Sequence, residues 1–140
     1  MDGQMAFAEE VLAGQPFSKL LGTRIVEFGD GAAVLELEIR EDLRQQHGYV
    51  HGGLLGYLAD SALTFAAGAV VGGNVLTSGF TIDYLRPAVD GTLRAEGRVI
   101  RAGRGRVVSR CEIFTVDERG EPLLCAVAQG DVAVTGPAVT

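Results

Sequence analysis

Apolar and polar residues change rhythm several times along this chain. Residues 5–13 carry an amphipathic pattern that predicts a short helix ending near Gly14, with Pro16 closing the stretch. Residues 20–28 read as a first strand, and Gly29-Asp30-Gly31 as the turn out of it. A second strand, residues 33–40, alternates cleanly, with Leu35, Leu37 and Ile39 on one face and Glu36, Glu38 and Arg40 on the other. These two strands make a hairpin. After a polar loop, residues 41–50, the chain turns almost wholly apolar for about five turns of helix, opening at Gly52 and Gly53 and broken at Gly72-Gly73-Asn74. Four more strands follow, at residues 75–85, 92–101, 106–117 and 122–134, punctuated by Arg86-Pro87, Asp90-Gly91, residues 102–105 and Glu118-Arg119-Gly120. Residues 135–140 carry no pattern and read as a loose tail. The order predicts an α+β fold: an antiparallel sheet of about six strands, joined by short turns and wrapped around one long central helix. With no internal repeat and no linker, residues 1–140 read as one domain.

A helix apolar on every side is a buried helix, yet Asp60 stands in the middle of this one. Burying an unpaired carboxylate is expensive, so Asp60 needs either a partner or a chemical task. Glycines at 52 and 53 let the backbone approach a ligand, and the first N–H groups of a helix have no partner within it. Together with the positive end of the helix dipole, such groups can stabilise a carbonyl oxygen gaining negative charge. The plainer alternative is that the two glycines only shape a tight turn. Eight residues separate Gly52 from Asp60, which is about 12 Å of helix rise. A single helix therefore cannot bring the two together, but a second, antiparallel copy can. If they act together, the site lies between two subunits, and a two-fold dimer holds two such sites.

Composition narrows the classes. A chain of 140 residues, 47% apolar, can bury a real core. A net charge of −6 speaks against nucleic acid as a partner. Cys111 and Cys125 both lie in apolar or alternating runs and read as reduced core residues. The start, Met1-Asp2-Gly3-Gln4, lacks the positive charge of a signal peptide, and Asp60 with several glycines argues against a membrane-spanning role for the long helix. The expectation is a cytoplasmic protein.

His51-Gly52-Gly53, then Leu58-Ala59-Asp60-Ser61-Ala62, then Asp83-Tyr84-Leu85-Arg86-Pro87-Ala88 closing the next strand, resemble the hotdog-fold acyl-CoA thioesterases, and most of all their phenylacetic-acid-degradation (PaaI-type) branch. The resemblance covers residues 17–134. It implies a hotdog fold and hydrolysis of an acyl- or aryl-CoA thioester, with coenzyme A part of the substrate and neither cofactor nor metal required. It casts Asp60 as nucleophile or as general base on water, and Gly52, alone or with Gly53, as the backbone donor that polarises the thioester carbonyl. His51 would shape the loop or orient the acyl group. Ser78 falls where some relatives place a hydroxyl that positions water. Gln45 falls where many relatives have Asn, keeping amide chemistry on a longer arm. The family's site is shared across a homodimer, and many relatives pair dimers into homotetramers.

His47 and His51 are four apart, a metal-ligand spacing on a helix, but Gly48 lies between them in a loop and neither Cys nor a third His is near. Arg86, Arg101, Arg104 and Arg106 gather at strand ends and in the Gly-rich turn, where they suit either the phosphates of coenzyme A or plain solvation. Two other activities fit a hotdog fold. One is a non-catalytic acyl-CoA-binding or regulatory module. The other is an enoyl-CoA hydratase, which needs a His and an Asp placed together, an arrangement that His47 and His51, both ahead of the helix, do not provide.

Overall fold

A computed structural model describes residues 3–136 of the chain. Two short helices, α1 (Gly3–Ala13) and α2 (Pro16–Leu21), precede the hairpin of β1 (Arg24–Gly29) and β2 (Ala32–Glu38). A single 3-10 turn (Glu41–Leu43) and the long helix α3 (Gly52–Val71) come next. The chain then runs through β3 (Val75–Tyr84), β4 (Thr92–Ala102), β5 (Arg106–Val116) and β6 (Pro122–Val134). All six strands form one antiparallel sheet in the order β1-β2-β4-β5-β6-β3, curled around α3.

The alternation seen in the sequence decides which side of the sheet meets the helix. Leu35 and Leu37 of β2 and Leu93 and Ala95 of β4 are fully buried on the inner face. On the outer face Arg24 bridges Glu36 and Glu38, and Arg94 bridges Glu36. Leu54, Leu58, Ala59, Ala62, Leu63 and Ala66 of α3 fill the space between. By length and composition α3 would span a membrane, but here it packs against all six strands of the sheet. Cys111 and Cys125 are free thiols buried in this core.

Three expectations are corrected. Residues 20–28 are not one strand. Pro16 opens α2 rather than closing α1, because its fixed φ suits a first helical position. Gly22, in the left-handed region at φ 77°, then ends α2 before β1 begins at Arg24. Second, β3 does not lie beside β4. It pairs with β6 at the far edge, because the connection after Tyr84 crosses the sheet and is pinned there by Val50 N–H donating to the Ala88 carbonyl at 2.9 Å. Third, α3 is not dry all round. Tyr57, Asp60, Ser61, Thr64 and Gly68 form a half-buried stripe that lines a cavity. Of the tail, Thr135 is tied back through its N–H to the Asn74 carbonyl at 2.8 Å; residues 137–140 lie outside the described residues.

Candidate active site

Asp60 opens onto a cavity of about 350 Å³ between α1, α2 and the half-buried stripe of α3. Its carboxylate is not bare. Thr77 Oγ1 on β3 donates to Asp60 Oδ1 at 2.5 Å, and Thr64 Oγ1 lies 2.6 Å from Thr77 Oγ1 and 2.7 Å from the Asp60 carbonyl oxygen. Thr64 sits one helical turn beyond Asp60, so the sequence held that neighbour at a recognisable spacing. Nothing in the sequence placed Thr77 there, since the contact depends on where β3 lies along α3. Ser78, the hydroxyl singled out from the resemblance, is exposed at the bulge between Thr77 and Gly79.

The other end of α3 is built differently. His51 is the N-cap residue, and its Nδ1 accepts the Gly53 N–H at 2.8 Å. That fixes the neutral ring in the tautomer protonated at Nε2 and occupies the Gly53 amide. The Gly52 N–H has no partner among the described residues, which is the ordinary state of a first helical amide. Tyr84, at the end of β3, packs on Gly52 and donates to its carbonyl oxygen at 3.1 Å. Gln45 Oε1 accepts from the His47 and Tyr49 backbone amides at 2.6 and 3.2 Å, which closes the loop and leaves its amide protons without a partner among the described residues. Gln45, Gly52, Tyr84 and Arg86 share a second hollow of about 360 Å³.

The chain thus holds two separate hollows. Asp60 and Thr64 line the first hollow; Gly52 and Gln45 line the second. The arginines divide as well. Arg86 stands beside Gly52, while Arg101, Arg104 and Arg106 flank the β4–β5 turn near the C-terminal end of α3, where Gly31 packs between Val70 and Val99. Arg106 is already paired with Asp131 at 2.8 Å. Tyr57, Thr64, Thr77 and Tyr84 are polar groups of the two hollows and their rims that local sequence pattern does not mark as site residues.

The family model described as Thioesterase superfamily matches residues 47–121, a span that holds Gly52, Asp60 and Thr77. The acyl-coenzyme A thioesterase PaaI of Escherichia coli is 33% identical over 103 residues, 73% of each chain. A 1,4-dihydroxy-2-naphthoyl-CoA hydrolase of Listeria monocytogenes is 33% identical over 107 residues, 75% of this chain and 85% of its own. Among solved structures, the E. coli PaaI protein superposes with a TM-score of 0.82 at 30% identity, covering 98% of this chain and 95% of that one. A thioesterase family protein from Silicibacter pomeroyi reaches 0.86 at 27% identity, covering 91% and 95%. Sheet order, helix placement and these matches agree, and the chain belongs to the thioesterase superfamily as a hotdog-fold thioester hydrolase of the PaaI type.

Proposed function

We propose that the protein hydrolyses an acyl-CoA thioester to a free acid and coenzyme A, at a site completed by two subunits. The observation that carries this reading is the setting of Asp60: a carboxylate with one oxygen fixed by Thr77, facing a hollow large enough for an acyl group. The thioester carbonyl rests against the Gly52 amide of the partner subunit, where a donor aimed at developing negative charge typically contributes about 10²–10³ in rate. Asp60 either attacks the carbonyl carbon, expelling the thiolate and leaving an anhydride that water cleaves, or takes a proton from the water that attacks. Gln45, its carbonyl committed to the loop, offers amide protons to the substrate or to that water. Ser78 stays a candidate for holding water in the assembled site.

Arg86 beside the Gly52 hollow suits a phosphate of coenzyme A. Arg101, Arg104 and Arg106 would reach the same coenzyme only from a second subunit. The working assembly is a homodimer at least, with a homotetramer as its extension, in the cytoplasm. Beyond the coenzyme carried by the substrate, the proposed chemistry calls for no cofactor.

The deciding experiment is Asp60→Asn, assayed by release of free thiol from a panel of acyl-CoAs. The expected loss is on the order of a thousandfold or more in kcat, with an unchanged elution volume on gel filtration. Near-wild-type turnover by Asp60→Asn would overturn the assignment.

A further inference from the structure

Two consecutive peptide units open α3, one joining His51 to Gly52 and the next joining Gly52 to Gly53. Of their four polar groups, three have partners. The His51 carbonyl accepts the Leu54 N–H at 2.9 Å. The Gly53 N–H donates to His51 Nδ1 at 2.8 Å, and the Gly52 carbonyl accepts from the Tyr84 hydroxyl at 3.1 Å. The fourth group, the Gly52 N–H, has no partner among the described residues.

Two glycines in succession are the least constrained backbone a chain can have, so their geometry has to be fixed from outside. The bonds to His51 and Leu54 are local and belong to any capped helix start. Tyr84 is the one partner that comes from a distant element. Its backbone is held in the sheet opposite Ala126 of β6, and the next N–H, that of Leu85, donates to the Cys125 carbonyl at 2.8 Å. Its ring lies against Gly52, where an added Cβ would come within 3.4 Å of both Cζ and the hydroxyl oxygen. Tyr84 therefore presses on the Cα and bonds the carbonyl of one and the same residue. With the preceding peptide tied through the His51 carbonyl, the Gly52 N–H is left pointing in one direction. A donor fixed in advance needs no reorganisation when charge develops. Tyr84 is also 55% exposed, so loss of its hydroxyl leaves no buried polar group unpaired, and the effect falls on the site rather than on the core.

We propose that Tyr84 is a positioning residue for the thioester carbonyl: its hydroxyl completes a clamp on the Gly52–Gly53 peptide, so that the Gly52 N–H alone is offered, in a fixed direction, to the oxygen that gains negative charge. This rests on the acyl-CoA reading above and adds how its donor is held.

The test is Tyr84→Phe, which keeps the ring and removes the donor. On the acyl-CoA turned over fastest, kcat for thiol release should fall about three- to tenfold, the range of one neutral hydrogen bond, while KM stays within about twofold. The Kd of the S-alkyl-CoA thioether with the same carbon skeleton, which has no carbonyl for Gly52 to polarise, should also stay within about twofold. In a Gly52→Pro background, where no amide proton remains at this position, adding Tyr84→Phe should lower kcat no further. An unchanged kcat in Tyr84→Phe overturns the inference, as does an equal loss of affinity for the thioether, or the same loss repeated on top of Gly52→Pro. Amide hydrogen exchange at Gly53 separates the two readings. Faster exchange in Tyr84→Phe, in a protein that releases no thiol from any acyl-CoA, removes the hydrolase and keeps the clamp. Unchanged exchange beside an active wild-type protein does the reverse.

Discussion

At the scale of single residues, the contact that matters most is Thr77 to Asp60. A hydrogen bond onto a charged acceptor contributes about 1.5–3 kcal/mol, and this one also holds the carboxylate in a single rotamer. Thr77→Val keeps the side chain's shape and removes the donor. It is expected to lower kcat about ten- to a hundredfold with KM little changed, and Thr77→Ser should restore most of the rate. An equal loss in both variants would assign Thr77 to packing instead. Cys111 supplies a different test. Burial, with Glu112 and Glu96 nearby, pushes its thiol up from 9.0 to about 12. Its folded value lies above its unfolded one, so the stabilisation is complete below pH 9.0 and is lost as pH rises toward 12. Over the first pH unit above 9.0, stability should therefore fall by about 1 kcal/mol from this group alone. Denaturant melts of Cys111→Ala should show that much less alkaline dependence.

At the scale of elements, the fit of α3 against the sheet sets the geometry of both hollows. Gly97 of β4 makes that fit possible: a Cβ there would fall on the Ala62 carbonyl oxygen of α3. Gly97→Ala must push the helix from the sheet or bend the strand, and overpacking of this kind costs about 1–3 kcal/mol. A matching fall in thermal stability is expected, while an unchanged melting temperature would mean that the two layers slide apart freely. The helix boundaries were legible, since Gly52 to Val71 is where the apolar run, its glycine opening and its glycine break predicted it. The start of β1 was not. The run Leu20-Leu21 satisfies a helix turn and a strand equally well, and Pro16 at a first helical position decided for the helix.

At the scale of the whole molecule, the proposed division of the site between two subunits can be tested. Gly52→Pro removes the amide proton while keeping a residue suited to the first position of a helix. His51, at φ −62° and ψ 132°, already has the extended backbone that a following proline requires. Homodimers of Gly52→Pro and of Asp60→Asn should both be nearly inactive. Dimers purified with one chain of each kind carry one site with both groups and one with neither, so about half the wild-type rate should return. Mixed dimers as inactive as the parents would place carboxylate and amide in the same subunit's site. The crossing of β3 to the far edge gives this scale its shape, because it brings Thr77 alongside Asp60 and Tyr84 onto Gly52 with a single strand.

The sequence by itself determined the local pattern: alternation that fixed the inner and outer faces of β2 and β4, the extent of α3, the lone carboxylate within it, and the motifs that carried the family. Those features follow from spacing along one segment, which periodicity reports directly. Only the tertiary structure decided which strand neighbours which, that Thr77 rather than Ser78 holds Asp60, and that Tyr84 reaches the Gly52 carbonyl. These depend on contacts between segments distant in the chain, where the packing of the helix on the sheet, and no local rule, selects the partner.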